Sequence, residues 1–242
     1  GAVEKNDPVV LVYASAPLAV LGDARAVPAL SGQMATLDAS LRDPIMRALN
    51  QLGDRSVVSA MIETMKPAHF IEKCVKDGLA SKEECTADKA SLGGAQKATA
   101  DHVTNLAAAE HMAALRAVVD AEQEAGVKKY FEERMKRVES AVECKTDAAC
   151  WTTKLEDANP LVREKAAWEL GRLKDPSTLA ALTKALADKK PEVRSAAIMA
   201  YWGFGTKDAI AKIEAQLREE AGAADFIRVN EDLKRLLIHL QR

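Results

Sequence analysis

The four cysteines are the residues of this chain best suited to chemistry, and they lie in two close pairs. Cys74 is followed by Cys85, and Cys144 by Cys150, with no C-x-x-C motif and no histidine at zinc-finger spacing beside them. Four cysteines allow three disulfide connectivities, and we predict the local one, Cys74–Cys85 with Cys144–Cys150. Disulfides persist in oxidising compartments, so we predict an exported protein, periplasmic or at the cell surface. The alternative is a cytoplasmic protein with free buried thiols.

The start of the chain bears on the same question. Residue 1 is Gly1, so we expect any signal peptide or lipoprotein-anchor cysteine to have been removed or to be missing from this sequence. The longest apolar stretch, Val9–Leu21, contains Pro17 and is shorter than the roughly 18 residues that suggest a membrane-spanning helix. We therefore expect no transmembrane segment in the visible chain.

The histidines give no sign of a metal site. No H-E-x-x-H motif and no pair at four-residue spacing occurs among His69, His102, His111 and His239. On one helix, the dipeptides Asp101-His102 and Glu110-His111 would face opposite ways at about 100° per residue, so we predict both on a solvated surface. There is also no glycine-rich phosphate loop, G-x-S-x-G elbow or kinase motif. The sequence thus predicts no catalytic residue, no cofactor and no metal.

Charge and composition narrow the class of protein. The chain has 34 basic and 36 acidic residues, a net charge of −2, and therefore no basic surplus for a nucleic-acid backbone. Hydrophobic residues make up 48% of the chain but aromatics only 4%, and alanine, leucine and valine dominate the apolar part. This mixture favours close-packed helices over sheets.

The sequence contains an internal repeat of 31 residues, which sets the helices that position the residues discussed above. Leu21-Gly22-Asp23 returns as Leu52-Gly53-Asp54, and Pro160-Leu-Val-Arg163 returns as Pro191-Glu-Val-Arg194. Apolar residues between the motifs follow the spacing of amphipathic helices, so each unit predicts two helices joined by a tight turn.

The motif residues are predicted to have structural roles. Pro44, Pro160 and Pro191 are expected in the first turn of a helix, and Gly22 and Gly53 at left-handed C-caps. Aspartates of the turn, Asp23, Asp54 and Asp175, are predicted to cap the helix that follows. The recurring Arg163 and Arg194 are predicted to make contacts between repeats.

At these residues the chain resembles the HEAT-like repeats first described in phycobilin lyases. The stretch VLGDARAVPAL, Val20–Leu30, matches that pattern closely, and the resemblance covers Ala14–Met65 and Asn159–Leu217. It implies an all-α fold, a right-handed α-solenoid of HEAT-like helix pairs, here with a helical insertion in the middle. HEAT-like di-iron hydroxylases use repeated His-Glu dipeptides, but Glu110-His111 is reversed and unrepeated.

Three parts follow from the repeat pattern. Residues 1–66 are predicted to hold N-terminal repeats, and residues 127–242 C-terminal repeats with a capping helix. Residues 67–126 contain one cysteine pair and are predicted to be a helical insertion, with an eroded repeat as the alternative. Within this part, Gly93-Gly94 is predicted as a loop and Ala95–Ala125 as one helix.

The repeats favour a binding protein over an enzyme. Second helices of such repeats line an extended face that grips proteins or peptides, so we predict a non-enzymatic scaffold with a protein or peptide partner and no nucleic acid. Outward positions on these helices are mixed in charge: Gln33, Ser59, Glu63, Lys184, Lys212 and Gln216. Trp202 stands where the other repeats have small or polar residues, and is a candidate binding residue, local packing being the alternative. Other functions left open are an accessory subunit of a lyase or secretion complex, and a HEAT-like DNA glycosylase using Trp202 with Asp208.

Overall fold

The computed structural model describes residues 8–20, 22–32, 34, 39–204 and 211. Helices and turns account for all regular structure in this part of the chain, and no strand occurs in it. The chain divides into two compact units, Gly1–Val142 and Glu143–Arg242. The prediction of an all-α fold is therefore confirmed for the described residues, whereas the three-part division at 66/67 and 126/127 stays a prediction.

The first unit contains α1 (Pro8–Val20), α2 (Val27–Gly32), α3 (Ala39–Leu52), α4 (Val58–Glu63), α5 (Pro67–Lys76), α6 (Lys82–Ala87), α7 (Lys89–Leu106) and α8 (Met112–Ala121). Helix α9 (Ala125–Cys144) begins in the first unit and ends in the second. The second unit continues with α10 (Ala148–Lys154), α11 (Pro160–Leu173), α12 (Leu179–Ala185) and α13 (Pro191–Phe204). Short 3₁₀ turns precede the second helices of four pairs, at Ala24–Ala26, Arg55–Val57, Ala109–His111 and Pro176–Thr178.

The turns of the repeat have the predicted caps. Asp54 accepts a hydrogen bond from the backbone N–H of Ser56 at 2.9 Å, and Asp175 accepts one from that of Ser177 at 2.9 Å. Gly53 has a positive φ of 73°, as a left-handed C-cap requires. Lys174 takes the same role in the second unit with a φ of 54°, although a side chain there is strained.

Close helix packing in the second unit depends on a glycine. A Cβ atom added to Gly171 on α11 would lie 2.6 Å from the Cα atom of Ala200 on α13, so the two backbones approach too closely for any side chain. Leu170, Ala167 and Ala197, all fully buried, pack around this crossing.

We expect Gly171→Ala to lower the free energy of unfolding by about 1–3 kcal/mol, because the methyl group forces α11 and α13 apart. The matched control is Gly94→Ala on α7, where an added Cβ meets nothing within 4 Å and the helical backbone gains about 0.5–1 kcal/mol. Thermal unfolding followed by far-UV circular dichroism measures both. A Gly171→Ala protein that melts at or above the wild-type temperature would contradict the close approach.

The expected single helix over Ala95–Ala125 is wrong. The chain leaves α7 after Leu106, is extended at Ala107 and Ala108, and re-enters a helix through the turn Ala109–His111. Helix, 3₁₀ turn and helix thus recur here, as in the clear repeats. Ala107 and Ala108 are buried and the Leu106 carbonyl accepts from Arg55 Nε at 3.2 Å, so tertiary contacts override the helix preference of alanine.

Two other local expectations are also corrected. Gly93-Gly94 is part of α7 and not a loop, and Gly93 faces Val127, whose Cγ2 would lie 3.1 Å from an added Cβ. Pro160 and Pro191 begin helices as expected, but Pro44 lies inside α3, because the helix starts earlier at Ala39.

His102 and His111 do not lie on a solvated surface of one helix. His102 belongs to α7, its side chain is 12% exposed, and its Nε2 lies 2.8 Å from Asp43 Oδ1 on α3. His111 ends the turn Ala109–His111, is 11% exposed, and its Nδ1 accepts from the Ala108 N–H at 3.2 Å. The imidazole thereby caps this turn, where the other repeats use aspartate.

Candidate functional site

A shallow groove between α10 and α12 is the candidate site of the second unit. It has a volume of about 350 Å³, at the small end of the range for ligand sites. The residues that line it are Thr152, Leu155, Glu156, Ser177, Ala180, Ala181, Lys184, Ala185 and Asp188. A second recess, of about 320 Å³, shares Leu155, Glu156 and Asp188 with it and extends to Arg163 and Lys189.

The groove has an apolar floor between walls of opposite charge. Leu155 and Ala185 are buried at its base. Glu156 is exposed on the α10 side, and Lys184 is exposed on α12 with Lys189 beyond it. None of these three charged side chains makes an ion pair or hydrogen bond with a residue that the structure describes, although the charge of Lys189 also acts on the nearby Asp188. They are therefore available to charges on a bound molecule.

An arginine holds the end of the groove in place. Arg163 Nε and Nη2 donate to the two carboxylate oxygens of Asp188 at 2.7 and 2.9 Å, a bidentate ion pair between neighbouring repeats. Arg163 Nη1 also donates to the Asp157 carbonyl at 2.9 Å, and Arg194 Nη1 makes the equivalent bond to the Asp188 carbonyl at 2.8 Å. The predicted contact between repeats is confirmed for Arg163, whereas for Arg194 it stays a prediction.

This arrangement lowers the pKa of the Asp188 carboxyl group. Burial alone would raise its pKa, but the hydrogen bonds from Arg163 and from the Lys190 N–H, together with the guanidinium charge, outweigh burial and lower the pKa below its usual range. Asp188 is thus ionised and already neutralised at neutral pH. Its place in the groove lining is structural, and it is not a general base.

The cysteine pair of this unit fixes the start of α10. The sulfur atoms of Cys144 and Cys150 lie 1.93 Å apart, at disulfide-bond distance, with their Cα atoms 5.3 Å apart. Trp151, fully buried beside them, donates from Nε1 to the Lys145 carbonyl at 2.9 Å. Cross-link and tryptophan together hold the loop that leads into the α10 wall.

The other cysteine pair belongs to the first unit. The sulfur atoms of Cys74 on α5 and Cys85 on α6 lie 2.00 Å apart. Both pairings in the structure are the local ones expected from the sequence, and the described residues contain no free cysteine.

Polar residues of the first unit form a second cluster. Asp101 accepts from the Tyr130 hydroxyl at 2.6 Å, from Arg134 Nε at 2.9 Å and from Arg137 Nη1 at 3.2 Å. Burial first, and then the hydrogen bond to Asp101, raise the pKa of Tyr130 to about 12, so its phenol keeps its proton at neutral pH. The members contact one another across α7 and α9, and this cluster is best explained as a structural network.

Of the binding positions predicted from the sequence, some lie in the groove, some lie elsewhere, and others are outside the described residues. Lys184 lines the groove, whereas Ser59 and Glu63 are exposed on α4 in the first unit. Trp202 belongs to α13, but its side chain lies outside the described residues, as do Gln33, Asp208, Lys212 and Gln216. The sequence analysis did not single out Glu156. A signal for it existed, because it directly precedes Asp157, which returns 31 residues later as Asp188 at the turn between two helices.

Two absences hold for the described part of the chain. No group of three or more His, Cys, Asp or Glu side chains in it could hold a metal ion. None of its helices combines the length and the apolar character needed to cross a bilayer.

Paired helices, capped turns and arginine contacts between repeats define a helical-repeat protein. A family model described as HEAT repeats matches residues 150–225. Residues 150–225 therefore carry HEAT-like repeats, as the motifs in this part of the chain indicated. The right-handed turn of the array stays a prediction. No curated protein matches the chain.

Solved structures similar to the chain at low scores include the following three. One is human deoxyhypusine hydroxylase in complex with glycerol, with 17% identity over 97% of this chain and 80% of that chain and a TM-score of 0.37. The others are two engineered proteins, each with 14% identity and a TM-score of 0.33, covering 88% and 97% of this chain and 95% and 75% of theirs. No functional statement follows from similarity at this level.

Proposed function

We propose that this chain is a non-enzymatic scaffold that binds a protein partner in the groove between α10 and α12. The observation that carries the proposal is the groove itself: a recess of about 350 Å³ formed by the second helices of two HEAT-like pairs. Its apolar floor and its unpartnered Glu156 and Lys184 supply the two kinds of contact that protein interfaces use, a desolvated centre and a polar rim.

The chemistry of the described residues supports binding over catalysis. Asp188 in the groove is committed to Arg163, and the described residues that line the groove include no histidine or cysteine to act as a base or nucleophile. No observation in the described residues favours the accessory-subunit alternative or the DNA glycosylase, and the glycosylase would use Trp202 and Asp208, whose side chains lie outside the described residues.

A site-specific photo-crosslink tests the binding site. Benzoylphenylalanine is placed at Ala180, exposed in the groove, or at Ala114, an exposed alanine of α8 far from it in sequence, and each protein is irradiated in extract of the source organism. We expect a discrete protein adduct at position 180 and none at 114. Adding Ala181→Arg fills the groove and should abolish the adduct. Adducts of equal yield at both positions, or an adduct at 180 that survives the arginine, would refute the groove as the binding site.

Export is the second part of the proposal, and the two cysteine pairs at disulfide-bond distance support it. Native protein isolated without reductant and denatured in iodoacetamide is expected to take up no label at Cys74, Cys85, Cys144 or Cys150, and four labels after reduction. Labelling of all four before reduction would instead assign the protein to a reducing compartment.

A further inference from the structure

The two walls of the groove restrict what can occupy it. The α10 side presents the carboxylate of Glu156, and the α12 side presents the ammonium group of Lys184 and, in the adjoining recess, that of Lys189. None of the three makes a hydrogen bond or ion pair with a described residue, although the charge of Lys189 also acts on Asp188. Between these charges lies the apolar floor of Leu155 and Ala185, and the other apolar residues that line the groove, Ala180 and Ala181, have small side chains. A complementary ligand therefore has a narrow apolar ridge with positive charge along one flank and negative charge along the other.

The backbone of the groove argues for a helical ligand. Both walls are helices and present no strand, so an extended peptide finds no strand edge here to pair with. None of the described residues that line the groove is aromatic, and recognition of a polyproline segment relies on aromatic-lined grooves. A helix needs neither, because it satisfies its own backbone, and the alanines let it approach closely.

The length of the walls sets the size of the contact. α10 and α12 have seven residues each, which at 1.5 Å per residue gives a contact about 10 Å long. Two turns of a ligand helix fill this length, so its apolar ridge consists of side chains at positions i, i+3 or i+4, and i+7.

We infer that the groove binds an amphipathic helix of the partner protein, with two turns of small or medium apolar residues on the floor, basic residues facing Glu156 and acidic residues facing Lys184 and Lys189. This rests on the proposed function and names the ligand class of the same groove. The charged walls orient the helix, because reversing its direction would bring each flank against a wall of its own charge.

A displayed peptide library tests the ligand class. The probe is an alanine-rich helical peptide of about 20 residues, long enough to be helical in isolation, with a fixed apolar ridge and random residues on both flanks. It is selected against the full-length protein, against Glu156→Lys, and against the double variant Lys184→Glu/Lys189→Glu. All three positions are exposed, and circular dichroism checks that each variant keeps the wild-type fold.

We expect the wild type to enrich peptides with a basic flank and an acidic flank. Glu156→Lys should enrich acidic residues on both flanks, and the double variant basic residues on both. Each reversed charge should weaken the wild-type peptides about two- to five-fold in Kd, the range for exposed ion pairs. Ala181→Arg should abolish their binding, whereas Ala114→Arg should leave it unchanged.

Two results would overturn the inference. One is the same flank composition from all three proteins; the other is selected peptides that bind Ala181→Arg as tightly as the wild type. Either result leaves the crosslink at Ala180 as an independent test, so a groove that captures a partner by other chemistry is distinguished from a groove that captures none.

Discussion

Replacing Glu169 by leucine is expected to lower the free energy of unfolding of the second unit by about 3–5 kcal/mol, as for other buried ion pairs that lose one member. Lys165 Nζ lies 2.8 Å from Glu169 Oε1, and the two side chains are 0% and 4% exposed. Arg172 Nη1 contacts the same oxygen at 3.1 Å. Without the carboxylate, the fully buried ammonium group of Lys165 loses a negative charge that helps to compensate its desolvation.

The double variant Lys165→Met/Glu169→Leu separates charge from packing. It removes both charges and keeps comparable side-chain volume, so it should recover most of the loss and is expected within about 1 kcal/mol of the wild type or above it. The three tryptophans, Trp151, Trp168 and Trp202, all belong to the second unit, so urea unfolding followed by tryptophan fluorescence reports on this unit. A double variant as unstable as Glu169→Leu would show that the ion pair itself, and not the stranded charge, provides the stability.

Features set by neighbouring residues were predictable from the sequence. An aspartate before a turn can find its N–H partner within three residues, which is why the caps at Asp54 and Asp175 were predicted correctly. The 31-residue offset likewise located Arg163 and Arg194, because equivalent positions in stacked repeats have equivalent surroundings.

Features set by contacts between distant residues were not predictable from the sequence. Lys165 and Glu169, four residues apart, have the spacing of an exposed helical pair, and only the packing around α11 buries them. The break at Ala107 and Ala108 depends on Arg55, about 50 residues earlier, and no local pattern encodes it. His102 is similar, since its partner Asp43 comes from another helix.

The candidate groove shows the same division. The repeat register placed Lys184 on the outward face of a second helix, and the structure puts it in the groove wall. Glu156 faces it from the neighbouring repeat, and this pairing of walls depends on how α10 and α12 stack. A sequence pattern gives the face of one helix but not the side chain opposite it.

The second large effect is expected at Arg163. Arg163→Ala should lower the free energy of unfolding of the second unit by about 3 kcal/mol at neutral pH, toward the lower end for buried pairs. The change removes the bidentate ion pair with Asp188 and the hydrogen bonds to the Asp157 and Ala158 carbonyls, at side chains that are 9% and 12% exposed for Arg163 and Asp188. Arg163→Lys should recover only part of the loss, because a single ammonium group cannot match the two-pronged geometry.

The pH dependence of this loss follows from the lowered pKa of Asp188. A carboxyl group whose pKa is lower in the folded state contributes stability above its unfolded pKa, about 3.9, and this contribution disappears as the pH falls through the folded value. The difference in stability between the wild type and Arg163→Ala should therefore be constant from pH 7 to about pH 5 and shrink below about pH 4. Tryptophan-monitored urea unfolding at each pH measures this difference.

The control is Glu143→Ala, which breaks the pair with Lys154 at a side chain that is 60% exposed and should cost less than about 1 kcal/mol. If Arg163→Ala costs no more than this control at pH 7, or if its cost grows on acidification, then the ionised pair of Arg163 with Asp188 does not stabilise the contact between the repeats.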